Sequence, residues 1–144
     1  KRHYLALVHG NVAGEGTVDA PIGRHPTQRV KMPVVAVERH GKEARTHYAI
    51  RERFAGATLL ECRLETGRTH QIRVHMASIG HPLVGDPVYG KRGSVVPLLA
   101  AFPHQALHAW RLALLHPRTQ QEISFETPLP EDFAVLLQNL RDAE

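Results

Sequence analysis

Arg73, four scattered aspartates, a strand tyrosine and eleven histidines are the groups on which chemistry could rest in this 144-residue chain. From Thr69 the apolar residues recur at helical spacing, with Ile72, Met76 and Ile79 on one side and Arg73 at the margin of that stripe. A guanidinium held there is partly buried and needs a carboxylate or a phosphate, because an uncompensated buried charge is strongly destabilising. Read from spacing alone, the partner of Arg73 is Glu65 or Glu61 in a structural ion pair. Asp86 stands between Gly85 and Pro87, which is turn chemistry, while Asp19, Asp132 and Asp142 fall in a loop, a helix start and a tail. Tyr4 offers a ring and a phenol, but a strand tyrosine taken alone is core or surface filler.

The histidines do not make a metal site. There is no HExxH, no Cys/His pair at zinc spacing, and His70 and His75 point about 140° apart on a helix. They are expected to hydrogen-bond the neighbouring loops, and no bound metal is expected. Arg24 to Lys31 is different in kind: Arg24, His25, Arg29 and Lys31 occur without an acid, and Pro26 argues against a helix. This basic loop suits a phosphate clamp, with Arg68 as a further cation, although a solvated charged loop would look the same. Eighteen Lys and Arg against fourteen Asp and Glu give a net charge of +4, in keeping with a polyanionic partner.

The elements that must carry these groups are readable from punctuation and period. His3 to His9 reads as a strand followed by a turn and a short strand, and Arg45 to Phe54 with Ala57 to Glu65 as an antiparallel hairpin turning at Ala55-Gly56. In the second arm Leu60, Cys62 and Leu64 alternate with Glu61, Arg63 and Glu65, predicting one core face and one wet face. A short helix follows, capped by Thr69 and ended by Gly80. His81 to Gly93 is an ordered loop and Ser94 to His104 is left unassigned. Leu107 to Leu115 and Glu122 to Phe125 read as strands joined by a turn at Pro117 to Gln120, and Phe133, Leu136, Leu137 and Leu140 mark a C-terminal amphipathic helix. The class is α+β, one domain, with a mostly antiparallel mixed sheet and flanking helices. No run reaches the roughly 18 to 20 apolar residues of a membrane span, and the single Cys62 suits a reducing compartment, so a soluble, cytoplasmic protein is expected.

The run LETGRTHQIRVHMASIGHPLVGDPVYG, Leu64 to Gly90, resembles without a gap the signature of the RluA/RluD-type large-subunit ribosomal RNA pseudouridine synthases. Tyr4-Leu5-Ala6, the RHP and KM elements at Arg24 and Lys31, Ala44 to Tyr48 and Ala106 to Trp110 resemble the same family in the same order, closest to its D type. The resemblance implies the pseudouridine synthase fold and conversion of uridine to pseudouridine in large-subunit ribosomal RNA, without cofactor or metal and with no obligate protein partner. It implies that Tyr4 is the active-site tyrosine, Arg73 the arginine that pairs with a catalytic aspartate, and Ile72 the aliphatic wall of the uracil pocket.

The chain departs from the family at one point: the HRLD-type element carrying the aspartate, N-terminal to the tyrosine element, has no match. Residues 1–144 are therefore expected to be the C-terminal portion of a single catalytic domain, truncated at its N-terminal side, inactive alone, with the nucleophilic aspartate and the partner of Arg73 outside the chain. The rival readings are a non-catalytic RNA-binding module and a metal-dependent hydrolase.

Overall fold

The computed structural model describes residues 2–23, 34, 41–90 and 96–144. Six strands form one sheet: β1 (Arg2–His9), β2 (Gly16–Asp19), β3 (Arg45–Phe54), β4 (Ala57–Leu64), β5 (Leu107–Leu115) and β6 (Glu122–Glu126). Their order across the sheet is β2-β3-β4-β1-β5-β6, and every neighbouring pair is antiparallel. Among the described residues three helices accompany it, α1 (Gln71–Ser78), α2 (Pro97–Ala100) and α3 (Glu131–Asp142). Both predicted hairpins are present, and the β3–β4 turn places Gly56 at φ +80°, a conformation a side chain would oppose. Among the described residues no helix is long and apolar enough to cross a membrane.

The expected wet face of β4 is only half wet. β1 and β4 lie at the centre of the sheet, so at one end both faces are covered. Leu60 and Cys62 join Ala6, Val8, Ile72 and Met76 in the cluster under α1, whereas Ala57 and Leu59 join Leu5, Leu7, Phe133, Leu136, Leu137 and Leu140 in the cluster under α3. Only beyond Leu59 does the alternate face, with Glu61 and Arg63, become partly exposed. Cys62 is fully buried in this setting, and burial pushes its thiol up to about 12.

The helix that carries Arg73 also departs from expectation at both ends. Thr69 does not cap it. His70 occupies the N-cap with φ 56° and ψ 23°, a left-handed rather than extended conformation, and no side-chain cap is made. Gln71 anchors the start instead: its Oε1 accepts from the Arg68 amide (3.0 Å) and the Thr66 hydroxyl (2.7 Å), and its Nε2 donates to Arg45 O (2.9 Å) and Thr46 Oγ1 (3.0 Å). At the other end Gly80, at φ +86°, donates to Ala77 O (3.0 Å) while His81 N donates to Met76 O (2.9 Å), the paired bonds of a Schellman ending. The chain leaves the helix at Ile79, so the 3.6-residue projection no longer holds there, and Ile79 is exposed rather than part of the buried stripe.

The segment after α1 is stitched across the end of β1. Leu83 bridges Val8, Val84 N donates to Leu7 O (2.9 Å) and Ala106 N donates to Val84 O (2.9 Å). This stitching fixes where Asp86 falls.

Candidate active site

Four of the residues singled out from sequence meet at one hollow. A cavity of about 260 Å³ is lined by Tyr4 from β1, Leu64 from β4, Arg68 and His70 from the loop before α1, Gln71, Ile72 and Arg73 from α1, and Gln105 and Leu107 at the start of β5. Tyr4 reaches it because it shares the sheet face of Ala6 and Val8 and packs with Ile72 against the same cluster. Ile72 is buried as a wall, Tyr4 is half-buried, and Arg68 lies exposed at the rim with its Nε donating to Glu43 O (2.7 Å). Arg24, His25, Arg29 and Lys31 lie outside the described residues.

Arg73 is buried, and its partner within the chain is neither of the acids that spacing suggests. Glu65 is engaged by Arg45 and His47, and Glu61 by Arg51, so neither meets Arg73. The carboxylate that does is inside the chain: Asp86, whose Oδ2 accepts from Arg73 Nε and Oδ1 from Nη2, both at 2.8 Å. Thirteen residues separate the two, but the stitching of Leu83 and Val84 to β1 returns the chain to the helix. Asp86 also does the turn work its neighbours suggest, since Oδ1 accepts the amides of Val88 (2.9 Å) and Tyr89 (3.1 Å).

The electrostatics follow from this geometry. Burial alone raises the Asp86 carboxyl, but the Arg73 guanidinium and the two amides more than reverse it, leaving it below the usual aspartate range. The Arg73 guanidinium is held above its ordinary value, chiefly by the hydrogen bonds to Asp86. The Tyr89 ring lies 5.2 Å from the guanidinium carbon, and its hydroxyl and His70 Nδ1 are 3.0 Å apart. Burial, then the neighbouring Arg73 charge, lowers the His70 imidazole below its ordinary range, and the residue lines the cavity.

His75 is wholly buried and both of its nitrogens are used: Nε2 donates to Ala20 O (2.8 Å) and Nδ1 lies 2.8 Å from Thr46 Oγ1. Together with His70 it does hydrogen-bond the surrounding elements. Sequence reasoning missed the left-handed His70, the Tyr89 ring and the contributions of Gln105 and Leu107 to the cavity. The one available signal was an aspartate and a tyrosine set between Gly85 and Gly90.

The profile of a family described as RNA pseudouridylate synthase matches residues 1–78. The chain is 57% identical over 145 residues to the ribosomal large subunit pseudouridine synthase D of Nitrosomonas europaea, covering 99% of this chain and 41% of that protein. It is 54% identical to the uncharacterized RNA pseudouridine synthase YlyB of Bacillus subtilis and 49% identical to the ribosomal large subunit pseudouridine synthase D of Escherichia coli K12, covering 97% of this chain in each case and 44% of either relative. The chain thus spans less than half the length of these relatives. Among solved structures, the human RNA pseudouridylate synthase domain containing 1 superposes with a TM-score of 0.71 at 28% identity, over 97% of this chain and 65% of that one. Human RNA pseudouridylate synthase domain containing 4 gives 0.76 at 25% identity, over 97% and 62%. By sequence match and by fold, the chain belongs to the RNA pseudouridylate synthase family.

Proposed function

We propose that residues 1–144 are the C-terminal portion of a single catalytic domain that isomerises uridine to pseudouridine in large-subunit ribosomal RNA, working in the cytoplasm. The observation that carries the reading is the cavity in which Tyr4, Ile72 and Arg73 face one another across two elements. In this reaction the bond from uracil N1 to the ribose breaks, the base turns, C5 takes the ribose carbon, and the proton that leaves C5 is balanced by one gained at N1. Ile72 and the Tyr4 ring hold the flipped base out of water, and the Tyr4 phenol removes the C5 proton. Arg73 presents a fixed positive charge to a nucleophilic aspartate.

That aspartate comes from outside these 144 residues. No Asp or Glu lines the cavity among the described residues, and Asp19, Asp86, Asp132 and Asp142 are each engaged elsewhere, by Arg45, Arg73, His104 and Gln138. The same observation favours RNA binding without chemistry as the behaviour of the 144-residue chain alone. Arg24, His25, Arg29 and Lys31, with Arg68 at the rim, supply phosphate contacts in either case.

The test is pseudouridine formation by the full-length polypeptide on unmodified large-subunit ribosomal RNA transcripts. Wild type is expected to form pseudouridine, and Arg73→Ala to lower the rate by roughly 10²-fold or more. Tyr4→Phe, which keeps the ring and removes the phenol, is expected to lower it by roughly 10²- to 10⁴-fold. A full-length wild type that forms no pseudouridine overturns the assignment.

A further inference from the structure

A guanidinium carries five N–H donors along two usable edges, one formed by Nε with Nη2 and the other by the two terminal nitrogens. In Arg73 the first edge is fully occupied by Asp86, in the bidentate form that fixes orientation as well as distance. Nη1 makes no hydrogen bond among the described residues, so none of them occupies its side of the second edge, and Arg73 lines the cavity that holds Tyr4 and Ile72. Asp86 itself cannot drift. Its side chain is fully buried, Oδ1 is gripped by the amides of Val88 and Tyr89, and its carbonyl oxygen accepts from Gly90 N (3.1 Å). The turn around it has no slack either: a Cβ on Gly85 would sit 2.0 Å from His104 O, and one on Gly90 would sit 2.0 Å from Asp86 O.

We propose that Asp86 is a positioning residue for the isomerisation. It touches neither the base nor the nucleophile, but it occupies the inner edge of Arg73 so that the outer edge alone can receive the incoming carboxylate. This deepens the functional reading above and rests on it. A carboxylate used merely to neutralise a buried arginine would serve from any side. One tied down by two backbone amides and a closed turn dictates a single guanidinium orientation, and the pairing arginine is worth most when that orientation is set before the substrate arrives.

The experiment is a double-mutant cycle in the full-length polypeptide with Asp86→Asn, Arg73→Lys and the pair. It reads single-turnover pseudouridine formation per folded molecule, with RNA affinity measured in parallel. Asp86→Asn keeps the amide acceptor but cannot hold the inner edge. It is expected to leave RNA affinity within about twofold while slowing the chemical step by roughly 10²-fold, the scale of a misplacement of about 1 Å. Because Asp86 acts only through the guanidinium edge, the double variant is expected to be no slower than Arg73→Lys alone. If Asp86→Asn does not fold, Asp86→Glu is the substitute. It retains the charge and displaces it, and it is expected to slow the step by more than about tenfold on the same argument. An active wild type whose Asp86 variants react at the wild-type rate, or whose double variant shows multiplied losses, overturns the positioning role and leaves the functional reading intact. An inactive wild type overturns the functional reading itself.

Discussion

Arg45 and Arg73 are both held by carboxylates, and they differ in almost every respect that matters. Arg45, on β3, has three acidic partners: Asp19 at 3.2 Å, Glu65 at 3.2 Å and Glu43 at 3.3 Å. All four side chains are open to water, at 33% exposure for the arginine and 41% to 71% for the acids. Arg73 has one acidic partner among the described residues, with side-chain exposures of 10% and 0%. The number of partners is a poor guide to consequence. In water a pair gains little over hydration and is screened by salt, whereas in the interior removing one partner strands the other charge. The Arg45 cluster dresses the edge of the sheet. The Arg73 pair joins a helix, a turn and a cavity.

The largest expected effect lies on the buried side. Asp86→Ala leaves the Arg73 charge without its carboxylate and is expected to lower stability by about 3–5 kcal/mol, measured by chemical denaturation. A loss as small as that of a surface substitution would break the contrast. Gly85→Ala comes next, because its Cβ would collide with the His104 carbonyl at a positive φ. Overpacking of this kind is expected to cost about 1–3 kcal/mol by the same measurement, and a neutral result would show that the Asp86 turn has slack.

The acid titration sharpens the comparison. Asp86 has a folded value below its unfolded one, so its contribution is complete above the unfolded aspartate value of about 3.9 and is lost as the pH falls through the folded value. Glu65 is also lowered, by its hydrogen bond from His47 and then by Arg45, but it does so in water. Carboxyl titrations followed by NMR at low and high salt are expected to show the Glu65 shift collapsing towards the ordinary glutamate value while that of Asp86 persists. Equal salt sensitivity would contradict the difference in burial. The smallest effect is Arg45→Ala, expected to leave Tm within measurement error of wild type.

This contrast also explains which parts were legible in the sequence. Repetition and punctuation announced β3, β4, β5, β6 and α3, because alternation and amphipathic spacing are local properties, and the four residues predicted to face the core from α3 are buried. The burial of Arg73 was equally legible, as it follows from the stripe formed by Ile72 and Met76. Its partner was not. The acids nearest in sequence, Glu61 and Glu65, were the natural choices, yet alternation along β4 and the bulk of the sheet keep them from the helix, while a turn stitched to β1 carries Asp86 back to it. A turn motif states how the backbone bends and is silent about what its side chain then meets. The start of α1 was misjudged for a related reason. Thr69 has the chemistry of a cap, but Gln71 already satisfies the Arg68 amide and ties the helix to β3, leaving His70 in the left-handed conformation.

The central claim is that this chain holds one wall of a pseudouridine synthase active site and that the nucleophile is supplied from outside it. The most direct measurement compares the purified 144-residue chain with the full-length polypeptide on unmodified large-subunit ribosomal RNA, scoring pseudouridine by chemical labelling and primer extension. The account predicts pseudouridine from the full-length polypeptide and none from the 144-residue chain. Turnover by the 144-residue chain alone would contradict it.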